Sequence, residues 1–317
     1  MIRLSAPRSA LLLIATLLSA CSGGSDGGTD PGGTLNDPIP GNAEVYVLLK
    51  TGDEHYIQHF STSGSASVAD VAQHVTGLPS GEVLIGMDMR PQDGQLYLIG
   101  QHGGAASAMG ELYTISTPLA DDAALSAIAV GELQADPADD GGAPPFSGLD
   151  ASGYGIDFDP AGNLLRIVGS NGDNLAIAFA GISNPVLVTS DTQLSQTGVV
   201  GIAHTHSTAP STSAPELLAI AADTGTLWLQ DPPDAGSLNA PVSLTESNTA
   251  WSAADLGFDI LTSGVANLLF VAYRTAADPD RLTLATIDRA SGAITPFYSS
   301  PNYAGIGVAG LAVSATP

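Results

Sequence analysis

Basic residues are scarce. Lysine occurs once, at Lys50, and lysine plus arginine total 8 against 32 aspartates and glutamates, a formal net charge of −24 at pH 7. Without Arg3 and Arg8 the balance is 6 basic groups against 32 acidic ones, a net of −26. Such a surface repels polyphosphates and anionic headgroups, which excludes nucleic acid as a partner. It suits cations, cationic ligands or plain solubility in salty water. Cysteine is also single, at Cys21, so no disulfide can form and the fold must rely on its hydrophobic core. From Ala43 onward there is no Gly-x-Ser-x-Gly, no phosphate loop, no dinucleotide fingerprint opening a helix and no His-Glu-x-x-His. Nothing in the chain reads as a nucleophilic catalyst.

What is present is a phrase written three times: Gly86-Met87-Asp88-Met89, Gly155-Ile156-Asp157-Phe158 and Gly257-Phe258-Asp259-Ile260. After the first two copies comes a turn carrying Pro and Gly, then a second apolar strand ending at Gly100 or Gly169. A hairpin reused along one chain points to a radial or stacked β architecture. The three aspartates are 69 and 102 residues apart. Neither spacing is one blade length, so the copies are expected on alternate blades with divergent ones between.

Residues 1–21 read as a lipoprotein signal peptide. Arg3 and Arg8 form a positive n-region, Ala10 to Leu18 is a short apolar run, and Leu18-Ser19-Ala20-Cys21 has the form of a lipobox. An ordinary secretory signal with an incidental cysteine is the alternative. On the lipobox reading Cys21 is the lipidation site, and resemblance to bacterial lipoproteins with Ser22 in the next position implies export to the outer membrane, periplasmic or surface-exposed. No later apolar run is long enough to span a bilayer, so the Cys21 lipid would be the membrane anchor. Residues 22–42, rich in Gly, Ser, Asp, Thr and Pro, read as a flexible linker reaching about 25 Å by random-coil scaling.

Residues 43–317 read as one all-β domain. Short strands follow at even spacing, from Val45–Lys50 and His55–Phe60 to Ala293–Tyr298 and Val308–Val313, punctuated by turns such as Asp93-Gly94 and Asn171-Gly172. Ala66 to His74 is the one helix-like patch. Roughly twenty strands at about 40–50 residues per four-stranded blade give a β-propeller-like fold of about five or six blades, with a β-sandwich pair as the alternative. Val45–Leu48 and Leu311–Val313, apolar strands from the two ends, could share a blade and close the ring.

The first two repeats, with Leu165-Arg166-Ile167-Val168 and Asn171-Gly172-Asp173-Asn174-Leu175, resemble the uncharacterised bacterial family catalogued as domain of unknown function 4394. So do Thr226-Leu227-Trp228-Leu229-Gln230-Asp231-Pro232-Pro233, Leu256 to Ile260, and Gly310 to Val313. The resemblance covers nearly all of Val45 to Val313 and implies an exported, propeller-like domain with no established activity. Two departures stand out: Ala176 replaces an arginine common in the family, and His204-Thr205-His206 stands where a Tyr-Thr-Asn segment is frequent.

Asp88, Asp157 and Asp259 have two readings. Each carboxylate could accept backbone N–H groups from the following turn and pin its hairpin, or the three could converge on a channel and hold a cation or ligand. Arg166 is expected to pair with Asp157 or Asp173, or to clamp a ligand carboxylate. His204 and His206, two apart, would face one side if the strand continued, a spacing that permits metal ligation, with His102, Asp223 or Glu216 completing the set. The loops at Asp136, Asp139, Asp140 and Gly141 and at Asn171 to Asn174 are oxygen-rich enough for calcium, with solvated turns as the default. No cofactor is predicted; calcium or zinc are the ions such ligands would take. The functional expectation is a binding or scaffold module for an unknown protein or small molecule, more in keeping with no turnover than with an enzyme. The alternative is a calcium- or zinc-assisted hydrolase acting at the channel.

Overall fold

The computed structural model describes residues 39–61, 68–69, 72–103, 109–115, 124–139, 143–208, 214–247, 249–251, 253, 255–264 and 266–315, with backbone alone at 68–69 and 249–250. The signal segment, Cys21, most of the linker, Asp140 and Gly141 lie outside them. After a 3₁₀ turn at Pro40–Asn42 come β1 (Ala43–Thr51), β2 (Glu54–Ser61), β3 (Val68–Ala69) and β4 (Gln73–Thr76). The strands β5 (Val83–Met89), β6 (Leu96–His102), β7 (Met109–Ile115) and β8 (Leu125–Ala135) make blade 1. Blade 2 is β9 (Tyr154–Asp159), β10 (Leu164–Gly169), β11 (Asn174–Ala178) and β12 (Val186–Ser190). Blade 3 is β13 (Val199–His204), β14 (Leu217–Ala221), β15 (Thr226–Gln230) and β16 (Leu238–Ser243).

Next come β17 (Thr245–Glu246) and β18 (Thr249–Ala250). Blade 4 is β19 (Asp255–Ser263), β20 (Ala266–Thr275), β21 (Asp278–Ile287) and β22 (Ala293–Ser300), extended at its edge by β17. The last strand, β23 (Gly307–Ala315), pairs antiparallel with β1, Val45 opposite Val313, and blade 5 runs β23-β1-β2-β4. Both chain ends therefore share one blade, as the apolar terminal strands led us to expect. The innermost strands β5, β9, β13, β19 and β23 each pack on the next, and β23 returns to β5, so the five blades close a ring. No helix among the described residues is long and apolar enough to cross a membrane.

Cores lie between blades. Ile99, Leu112, Phe158 and Ile167 are buried between blades 1 and 2, and Leu218, Phe258, Leu269 and Val271 between blades 3 and 4. Leu48, Leu98 and Ala312 join blade 5 to blade 1. Middle strands bury both faces, which is why β14 reads as an unbroken apolar run, and β10 as one broken only by Arg166, rather than as alternating strands. Outer edges are joined by parallel pairs: β8, the longest strand, pairs with β4 on one side and β12 on the other. That covering leaves few free strand edges.

Two sequence expectations change. The helix-like patch ends in strand: β4 pairs Gln73 and His74 with Ile57 and Tyr56 of β2, so an available sheet edge overrides a weak helical pattern. The repeated phrases alternate over the second interval only. Asp88 and Asp157 lie on adjacent blades and Asp259 two blades further on; the 69-residue first interval reflects the long connection after β8, not a skipped blade.

Candidate functional site

A glycine stands at the same place on all five inner strands: Gly86, Gly155, Gly201, Gly257 and Gly310. Each faces the backbone or side chains of the next blade. A Cβ on Gly155 would lie 2.7 Å from Ile202 N, and one on Gly257 would lie 2.5 Å from both Gly310 C and Leu311 N. The five inner strands thereby close to a waist where only about 10 Å³ of free volume remains.

Beyond that waist the three repeated carboxylates converge. One oxygen from each of Asp88, Asp157 and Asp259 lies within 4.8 Å of the others, and all three residues are 4–5% exposed. Their partners are amides from around the ring. Asp88 accepts Met89 N–H and Phe158 N–H, each at 2.7 Å. Asp157 accepts His204 N–H at 2.9 Å and also meets His204 Nδ1. Asp259 accepts Ile260 N–H and Val313 N–H, each at 2.6 Å. The five N–H groups come one from each inner strand, so three carboxylates satisfy five blades. That is why blades 3 and 5 carry Ala203 and Ala312 where the others carry aspartate. The bonds run to the carboxylate's own strand and to the neighbouring blade, not to the hairpin turn.

Burial pushes Asp88 and Asp259 well above the ordinary aspartate range, and repulsion from the other carboxylates adds to it. Asp157 is raised by burial too, but His204 pulls it back. The trio therefore holds protons or a small cation more readily than three negative charges. An all-carboxylate set suits a hard ion such as calcium rather than zinc.

The remaining sequence candidates separate. His204 is buried on Asp157, and β13 stops there; His206 turns away at φ 58° with Nδ1 on the Thr205 hydroxyl, so the pair does not share a face. Arg166 pairs with Asp191 at 2.8 Å, not with Asp157 or Asp173, because Asp157 turns to the axis and Asp191 lies just past β12. Glu216 pairs with Arg289, and His102 lies beside Glu82. In the oxygen-rich loops, Asn171 Nδ2 donates to both Asp150 and Asp173, while Asp136 caps Ala138 N–H and Asp139 takes Ser190 N–H. Asn174 and Gln230 Nδ2 and Nε2 both donate to Pro233 O, tying blade 2 to blade 3.

Sequence reasoning missed the opposite end of the channel. The starts of all five inner strands, at Val83, Tyr154, Val200, Leu256 and Val308, line one open cavity of about 320 Å³. Lys50, Gln101, Asp223 and Asp255 also border it. Its signal was there in the single lysine, which the sequence alone could not place. Also passed over was Gly305-Ile306-Gly307-Val308-Ala309-Gly310, which has the glycine spacing of a dinucleotide fingerprint. It leads into β23 instead of a helix, so no helix N-terminus stands ready for a pyrophosphate.

The family model described as Domain of unknown function (DUF4394) matches residues 58–312. No curated relative matches the chain. Among solved structures, the chain is similar to Sqt1 from Chaetomium thermophilum, with 15% identity, TM-score 0.36, and coverage of 67% of this chain and 46% of that one. It is also similar to an auxiliary nutrient binding protein from Bacteroides thetaiotaomicron VPI-5482, with 12% identity, TM-score 0.37, and coverage of 72% and 56%. The chain thus spans about half the length of those solved chains.

Proposed function

The chain belongs to the DUF4394 family, and on that premise we propose that it is a binding module whose ligand seat is the cavity at the mouth of the propeller channel. One observation carries this reading: all five inner strands contribute a residue from their first two to a single cavity of about 320 Å³, a size suited to a small molecule. Val83, Ile85, Val200 and Leu256 supply apolar contact area, and Lys50, Gln101, Ser152, Ser170 and Asp223 supply groups that can orient a ligand. The hydrolase alternative draws less support. The convergent carboxylates lie beyond the glycine waist, at 4–5% exposure, and are not among the residues that line the mouth cavity. The lipobox at Leu18 to Cys21 supports a module tethered to the outer membrane by a lipid on Cys21.

Two experiments test these proposals. A metabolite library screened by native mass spectrometry should yield a ligand whose binding is lost in Ser152→Trp, a substitution at the exposed cavity rim. A library without any such ligand would overturn the binding reading. Cys21→Ser should abolish incorporation of labelled fatty acid and release the protein from membranes; unchanged membrane association would refute the anchor.

A further inference from the structure

The charged groups around the mouth are unequally committed. Asp255 is engaged by Arg274, whose Nη2 donates at 2.7 Å and whose Nε lies 3.1 and 3.3 Å from the two carboxylate oxygens. It needs no further partner. Lys50, at the end of β1, pairs by backbone with His55 and Gly307, and its aliphatic stem passes over Gly307 beside the Arg274-paired Asp255: a Cβ there would lie 3.3 Å from Lys50 Cγ and Cε and 3.2 Å from Asp255 Oδ2. Among the described residues, no ion pair or hydrogen bond engages its ammonium. Asp223 lies over Gly198, with Thr224 N–H at 2.8 Å on Oδ1, and no cation pairs with it among the described residues. Lys50 belongs to blade 5 and Asp223 to blade 3, so blade 4 separates them and they border the cavity from different sides.

One cation and one carboxylate without an ion-pair partner among the described residues thus border one small cavity, whose lining mixes polar groups with apolar ones such as Val200 and Leu256. The net charge of −24 selects among ligands. A net anion would be drawn to Lys50 but opposed by the field of the whole molecule, and a net cation would be favoured at every acidic surface patch without selection. A dipolar molecule of zero net charge feels little of that long-range field and engages both local groups.

Resting on the binding reading, we infer that the mouth recognises a small zwitterion of the α-amino acid class with an apolar side chain. The ligand carboxylate meets Lys50, its ammonium meets Asp223, and its side chain lies against Val200 and Leu256. Charge-assisted hydrogen bonds at both ends fix its orientation.

Calorimetric titration with leucine tests this. The expected result is 1:1 binding that weakens at least tenfold for N-acetylleucine, which lacks the ammonium, and for leucinamide, which lacks the carboxylate. Lys50→Met and Asp223→Asn should each weaken leucine at least tenfold at unchanged unfolding temperature, with Lys50→Arg retaining most of the affinity. No binding of leucine, or binding indifferent to both substitutions, overturns the inference. If leucine fails while a library ligand binds and is lost in Ser152→Trp, the zwitterion assignment falls and the binding reading stands; if neither binds, both fall.

Discussion

Asp259 takes the N–H of Ile260, its own neighbour, on one carboxylate oxygen and the N–H of Val313, from the next blade, on the other, each at 2.6 Å. A single side chain therefore stitches blade 4 to the strand that closes the ring. Asp88 makes the same bridge from blade 1 to blade 2. Asp259→Ala removes the acceptor for two buried amides. Each orphaned N–H costs about 1–3 kcal/mol, so urea unfolding should show a loss at the upper end of single-substitution effects. A loss within error of zero would mean the amides find other acceptors and the bridge is incidental.

The same carboxylates set a pH dependence of unusual sign. The folded pKa values of Asp88 and Asp259 are raised by burial and by the other carboxylates. The folded state then binds more protons than the unfolded state, and stability falls as pH rises from about 4, the unfolded aspartate value, through the folded value. His55 works the other way: burial lowers it to about 4, so its contribution is lost on acidification. Comparing wild type with Asp259→Asn removes that background. Wild type should gain on the variant as pH is lowered from about 8 to about 5.

Chelation separates protons from a metal at the trio. With protons shared among the three carboxylates, EDTA should leave the unfolding temperature unchanged and added calcium should not raise it. A tightly held ion would instead make stability EDTA-sensitive and reverse the pH trend, because protons would compete with the ion.

Gly257→Ala probes the waist. Its Cβ would lie 2.5 Å from backbone atoms of Gly310 and Leu311, which cannot turn aside as a flexible side chain can. Overpacking of this kind costs about 1–3 kcal/mol or more. Gly94→Ala is the control: nothing lies within 4 Å, and only the strain of its φ of +66° remains, about 1–2 kcal/mol. Chemical denaturation should rank Gly257→Ala as clearly the worse. The reverse order would show that the inner strands can part without cost.

Much of this frame was legible because it is local. Val45–Lys50 and Ala293–Tyr298 were delimited by apolar content and flanking turn residues alone, and they lie within β1 and β22. Convergence was not legible. That Asp88, Asp157 and Asp259 meet depends on ring closure, and that three of them serve five blades depends on which neighbour each carboxylate reaches. Arg166 shows the same limit: Asp157 is its cross-strand neighbour in register, yet its guanidinium goes to Asp191. Lys50 was conspicuous by rarity, but only the pairing of β1 with β23 and the neighbouring inner strands places it at the mouth.

Ring closure itself yields the last prediction. Blade 5 is built from both ends of the chain, and Tyr303 donates to Gln58 at 2.7 Å beside the same seam. Opening the β1–β23 ladder would strip β1 from the strand whose Val313 N–H holds Asp259 and expose Leu48, Leu311 and Ala312, all now at most 2% exposed. Burying a residue of leucine size contributes about 1.5–3 kcal/mol, so the seam cannot part locally at low cost. Native-state hydrogen exchange should therefore find the amides of Val45, Val47, Leu311 and Val313 exchanging only through global unfolding, with a denaturant dependence equal to that of the whole domain. A shallow denaturant dependence confined to these amides would show that the seam opens alone while the inner-strand contacts hold the ring.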